Sequence, residues 1–124
     1  MAIIGLDHVQ IAMPCGREAE ARAFYGAVLG LAEIAKPEEL ARRGGVWFEV
    51  GDRQLHLGVE ADFRPARKAH PAFRVADLDA IRASLTSAGY QLIEDDALPG
   101  YDRCYVSDPF GNRLEFLEPA EISG

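Results

Sequence analysis

Ser107-Asp108-Pro109-Phe110-Gly111-Asn112-Arg113-Leu114-Glu115-Phe116-Leu117-Glu118 is the stretch on which the fold of this chain turns. Asp108-Pro109-Phe110-Gly111 reads as a type I turn. Proline at the second position presets φ, the aspartate at the first can bond the backbone, and glycine closes the turn. Strands are expected on both sides, Arg103 to Ser107 and Asn112 to Leu117. Side chains alternate along a strand, so Leu114 and Phe116 share one face while Arg113, Glu115 and Leu117 share the other. The apolar face is expected to pack on a helix. A carboxylate in mid-strand on the opposite face needs another reason, and metal ligation by Glu115 supplies one.

Working outward, 124 residues make one domain or two small fused halves. A chain this long buries roughly two-thirds of its unfolded surface and needs no staples. Twenty acidic residues against thirteen lysines and arginines give a net charge of −7. That balance argues against nucleic acid or an anionic membrane as the main partner. Cys15 and Cys104 form no CxxC pattern, and the apolar run Met1 to Leu6 is too short for a signal peptide or a membrane span. A reducing cytoplasm is the expected location.

Taken in order, Ile3 to Met13 reads as a strand and residues 17–29 as a helix with Ala21, Phe24, Tyr25, Val28 and Leu29 inward. Gly30 sits where a C-terminal glycine belongs. A short strand over 31–35, one helical turn at Pro37 to Leu40, and a hairpin of Val46 to Val50 with Gln54 to Val59 follow. Residues 60–69 form a polar connection carrying Arg64, Arg67 and Lys68. The pattern then restarts: strand His70 to Val75, N-cap Asp77, helix 78–88, Gly89, strand Tyr90 to Ile93, an acidic loop, and the closing hairpin. Residues 120–124 are expected to be a loose tail.

The order is strand, helix, three strands, twice over. Gly30 and Gly89, Ile34 and Ile93, and Gly51 and Gly111 each recur about 60 residues apart, which marks an internal repeat. The expected class is α+β, with modules over 1–59 and 70–119, helices on one face of each sheet and the other faces curving into a shared cup. His8 and His70 fall in the first strands of the two halves, His56 and Glu115 in the last. All four face away from the helices. Imidazole nitrogen and carboxylate oxygen are the usual donors for Zn, Fe, Mn, Ni or Co. The bland alternative, half-exposed polar residues on an ordinary sheet, holds better for any single histidine than for four residues in repeat-related positions.

Four stretches, Leu6-Asp7-His8-Val9, Phe24 to Leu31, His70-Pro71-Ala72-Phe73 and Asp108 to Phe116, resemble the vicinal oxygen chelate superfamily of glyoxalase I, extradiol dioxygenases and the fosfomycin and bleomycin resistance proteins. The resemblance implies paired βαβββ modules around one divalent metal. Its ligands would be His8, His70 and Glu115, with His56 where glyoxalase I-like members place a fourth, there a carboxylate. Histidine at that position departs from glyoxalase I and argues against activity on glutathione adducts. Glu115 is the implied proton carrier, and a homodimer is the implied assembly.

Gln10, Gln54, Arg74 and Arg113 share the polar face and can bond a small-molecule substrate. Trp47, Phe48, Tyr101 and Tyr105 can line an apolar pocket. The substrate-binding candidates taken forward are Gln10, Trp47, Arg74 and Tyr105. Two functional classes follow: a metal-dependent enzyme of the glyoxalase or dioxygenase type acting on neighbouring substrate oxygens, or a sequestering protein of the bleomycin-resistance type.

Overall fold

The structure, a computed structural model, describes residues 1–120 and shows a mixed α+β fold with two open four-stranded sheets. The chain divides into two compact units, one over Met1–Arg64 and one from Pro65 onward. The expected tail at 121–124 lies outside the described residues. Ala120 is held, its N–H bonded to the Gly100 carbonyl at 2.9 Å.

The first unit runs β1 (His8–Met13), α1 (Glu18–Ala21), a π-helical stretch Arg22–Val28, β2 (Glu33–Ile34), α2 (Glu38–Ala41), β3 (Val46–Val50) and β4 (Arg53–Val59). Its sheet order is β1-β4-β3-β2, with β1 parallel to β4. The strand expected from Ile3 begins at His8. The physical reason is a missing neighbour: His8 pairs with Gln54, and the β3–β4 turn ends β4 one residue further on. Met1, Ile3, Ile4 and Leu6 therefore stand in solvent.

The helix expected over 17–29 is not α-helical throughout. Leu29 N–H reaches the Phe24 carbonyl at 2.9 Å, five residues back, and Gly30 closes the turn at φ +78°. The widened turn accommodates two consecutive aromatics inward, Phe24 and Tyr25, both buried with Phe48 beneath. Met13, Val46, Leu55 and Leu57 complete this core.

The second unit runs β5 (Ala72–Arg74), α3 (Leu78–Ser87), β6 (Ile93–Glu94), β7 (Tyr101–Ser107) and β8 (Arg113–Pro119), in sheet order β5-β8-β7-β6. β5 is shorter than the expected 70–75, so His70 lies just ahead of it. Pro71, which has no N–H to give, accepts from Glu115 N–H at 3.1 Å. Asp77 caps α3 by accepting from Ala80 N–H at 3.1 Å, and Glu118 takes the Leu78 N–H at 3.2 Å. Leu78 and Leu85 bury one side of the helix with Leu114 and Phe116 of β8. The expected turn forms: Gly111 N–H bonds the Asp108 carbonyl at 3.0 Å, and the buried Asp108 carboxylate takes the N–H groups of Phe110 and Asn112.

Arg82 ties α3 to β6 and β7. Its guanidinium bonds Asp102 at 2.6 and 2.9 Å, Glu94 at 2.7 and 3.1 Å, and Asp79 at 2.9 Å. A partly exposed pair contributes little, but one guanidinium shared by three carboxylates is a network. Arg82→Ala is expected to destabilise the protein by about 2 kcal/mol and lower Tm by roughly 6 °C or more, read by thermal unfolding. A shift near zero would reduce the network to solvated surface charge.

Candidate functional site

In the first unit the register sets the polar face. His8 lies opposite Gln54, Gln10 opposite His56, and Trp47 opposite His56 on the other side. The result is a stack. The Trp47 and His56 rings lie 3.9 Å apart at 4°, and the His56 and His8 rings 4.1 Å apart at 18°. His56 Nε2 contacts Gln54 Oε1 at 2.9 Å, and His8 Nδ1 contacts Asp7 Oδ1 at 2.9 Å. An imidazole lone pair lies in its ring plane, so two nearly parallel rings do not aim at one ion. His56 and His8 thus stand together as a stacked pair rather than as converging donors. Gln10 lies flat over Gly58, where an added Cβ would meet its Nε2 at 2.6 Å, and with Trp47 and Lys36 it lines a hollow of about 170 Å³.

Burial pushes the His56 imidazole below its ordinary pKa, and the neighbouring His8 adds to this. The unfolded chain therefore takes up a proton near pH 6.5 that the folded chain resists. Stability from this group is full above that pH and is lost as pH falls through it. Urea unfolding about one pH unit either side of 6.5 is expected to show the loss, and His56→Gln to flatten it. An identical slope in the variant would assign the effect elsewhere.

In the second unit His70 and Glu115 come together. His70 Nε2 lies 2.8 Å from Glu115 Oε1, and His70 Nδ1 lies 2.8 Å from the Lys68 carbonyl. A carbonyl only accepts, so Nδ1 carries the proton and a neutral ring turns its Nε2 lone pair toward the carboxylate. Two acceptors at this distance need a cation or a second proton between them. Adjacent ligands of a metal bound at about 2.1 Å stand roughly 3 Å apart, and a ligand histidine commonly donates its other N–H to a carbonyl. Imidazole nitrogen and carboxylate oxygen are donor types that a divalent ion accepts, and two of them meet here. Among the described residues, no group of three or more His, Cys, Asp or Glu is gathered to hold one.

Glu115 is 6% exposed. Burial works to raise its carboxyl, but the neighbouring His70 and Tyr105 side chains and the Arg103 charge outweigh that and leave it below the usual range. Arg103 Nη1 lies 3.4 Å from Glu115 Oε2 and its Nη2 lies 3.3 Å from Asp95. Sequence reading missed Arg103. Its signal was there: it precedes Tyr105 by two and so shares that residue's face, and Tyr105 pairs with Glu115. Tyr105 is buried beside His70, their rings 5.4 Å apart. Arg74 stands exposed on β5 beside Leu117.

Comparison with known proteins places the chain. Residues 5–116 match the family model described as Glyoxalase/Bleomycin resistance protein/Dioxygenase superfamily. A crystal structure from Bacillus anthracis, described as of the glyoxalase family, is 53% identical, with TM-score 0.93, covering 97% of this chain and 98% of that one. A glyoxalase/dioxygenase from Nostoc punctiforme (20% identity, TM-score 0.78, 95% and 92% covered) and a lactoylglutathione lyase from Agrobacterium tumefaciens (20%, 0.73, 95% and 96%) share the fold. No curated protein matches. With its doubled β-α-β-β-β order and a family match across nearly its whole length, the chain belongs to the glyoxalase/bleomycin resistance protein/dioxygenase superfamily.

Proposed function

We propose that this protein is a divalent-metal-dependent enzyme of the glyoxalase/dioxygenase type, acting on a small molecule that offers neighbouring oxygens. The observation that carries this is the 2.8 Å approach of His70 Nε2 to Glu115 Oε1 with the Nδ1 proton already committed to Lys68. His8 is the donor that the family resemblance adds, its Nδ1 held by Asp7 so that Nε2 is the free nitrogen. His56 holds the His8 ring in orientation from its place against Trp47. When bound, a metal supplies Lewis acidity toward substrate oxygen. Glu115 accepts and returns a proton at its carboxylate, Tyr105 stands beside it across the strand pair, and Arg103 holds its second oxygen. Zn, Ni, Fe, Mn and Co all accept this donor chemistry.

One observation favours a second reading, a metabolite- or drug-sequestering protein. Arg103 already partners Glu115, which lowers the need for a metal charge. Metal analysis of purified protein, then a panel of hemithioacetals, catechols, epoxides and 2-oxo acid derivatives with the metal supplied, separates the two. Turnover of any class supports the enzyme. Saturable binding to metal-free protein without turnover supports the sequestering protein.

The active assembly is a homodimer in the same proposal. Ile3 and Ile4 are each 96% exposed and Leu6 69%, and β1 is an edge strand, so apolar surface and backbone donors both await a partner. Sedimentation is expected to show a dimer at micromolar concentration, with removal of residues 1–6 shifting it toward monomer. A monomer throughout would end this part. Among the described residues no helix is long and apolar enough to cross a membrane. Cytoplasmic location belongs to the proposal and rests on two free thiols, Cys15 exposed and Cys104 buried.

A further inference from the structure

The second unit holds a cavity of about 480 Å³, a size typical of small-ligand sites, whose walls include Arg67, Ile93, Asp95, Tyr105 and Arg113. Its lining sets two arginines, Arg67 and Arg113, against one carboxylate, Asp95. The Arg113 guanidinium carbon lies 4.2 Å from the Tyr105 ring centre, over the ring. That stacking uses the flat face of the guanidinium and leaves its N–H edge free. Among the described residues no carboxylate pairs with Arg113 or Arg67. Asp95, the carboxylate in the wall, makes its direct contacts with Arg103 at 3.3 Å and Ala97 N–H at 2.8 Å, and reaches Arg113 only through its longer-range charge. Two unpaired arginines facing one hollow are notable in a chain of net charge −7.

Most of the remaining wall is apolar, with Pro65, Ala66, Ile93 and Val106. Ile93 is 62% exposed, a large side chain with no cover. Pro65 lies against the β7–β8 turn, where a Cβ on Gly111 would stand 3.2 Å from its Cγ. That contact seats the segment leading to Arg67 beside the hairpin.

We propose that this cavity binds the anionic end of a small organic acid, a carboxylate or a phosphorus oxyanion on an apolar body, between Arg67 and Arg113. Planar guanidinium groups match such oxyanions two bonds at a time. Tyr105 both lines the cavity and pairs with Glu115 across β7 and β8, so the acid is the distal end of the substrate; that assignment, unlike the binding itself, rests on the functional reading above.

Calorimetric titration of chelator-treated, metal-free protein tests the binding with benzoate, phenylphosphonate and neutral benzamide. At least one anion is expected to bind saturably, with benzamide weaker by roughly tenfold or more. Preference between the two anions tells a carboxylate from a phosphorus oxyanion. Arg67→Ala, at an exposed position where folding is not at stake, and Arg113→Gln are each expected to weaken the anion by roughly tenfold. Absence of binding by either anion, equal binding of benzamide, or unchanged affinity in both variants overturns the proposal. Because no metal is present, failure here leaves the metal site standing. Failure of metal binding, in turn, leaves this result untouched.

Discussion

Glu115→Gln is expected to weaken binding of a divalent metal by roughly 100-fold or more while the fold survives. Removing a residue that only supports a ligand typically costs 10–100-fold, and Glu115 is proposed as a ligand itself. Glutamine keeps the length and one carbonyl oxygen but discards the charge. It is a cleaner substitution than alanine, which would also leave Arg103 with Asp95 as its remaining partner. His70→Ala is expected to act in the same direction, since His70 Nε2 and Glu115 Oε1 stand 2.8 Å apart. Competition against a chromophoric chelator reads both. Parental affinity in Glu115→Gln would remove this residue from the metal site.

Asp108→Ala is expected to cost about 3 kcal/mol or more. The Asp108 carboxylate is 4% exposed and accepts from Phe110 N–H at 2.9 Å, Asn112 N–H at 2.8 Å and Asn112 Nδ2 at 3.0 Å. Deleting an acceptor from buried donors costs about 1–3 kcal/mol, with charged acceptors at the upper end. Asp108→Asn keeps one oxygen but sets an amide N–H₂ against the Asn112 amide, so an intermediate loss is expected. Urea unfolding measures both. A loss below about 1 kcal/mol for the alanine variant would mean that Pro109 and Gly111 hold the turn unaided.

That turn was legible because its chemistry is local. Asp, Pro and Gly at set offsets dictate the bend, and the alternation of Leu114, Glu115 and Phe116 dictates which side faces the core. The doubled order and the two sheets were legible for a similar reason, since turn signals recur at matched intervals. What depends on pairing across strands was not. The stack of Trp47 on His56 and the contact of Arg103 with Glu115 both follow from register. So does the late start of β1, which a strand-like pattern from Ile3 onward could not show because its neighbour runs out first. The π-helical widening escaped as well: Phe24 and Tyr25 adjacent to each other are read as crowding on one α-helical face until the fifth-residue bond at Leu29 makes room.

The parallel strand pairs dictate an order of assembly. β7 and β8 are joined by the Asp108–Gly111 turn and can zip within microseconds, as hairpins do. β5 must instead find β8 across the intervening helix and hairpin, its Ala72 pairing with Glu115, and β1 must likewise wait for β4. Long-range closures of this kind are slow, and they reward the chain only once their template exists. The Asp108 turn is then expected to be formed in the folding transition state of the second unit, as folding and unfolding rates against urea would read. Asp108→Ala should express its loss mainly as slower folding, with unfolding little changed, whereas Arg82→Ala, which joins elements that meet later, should mainly hasten unfolding.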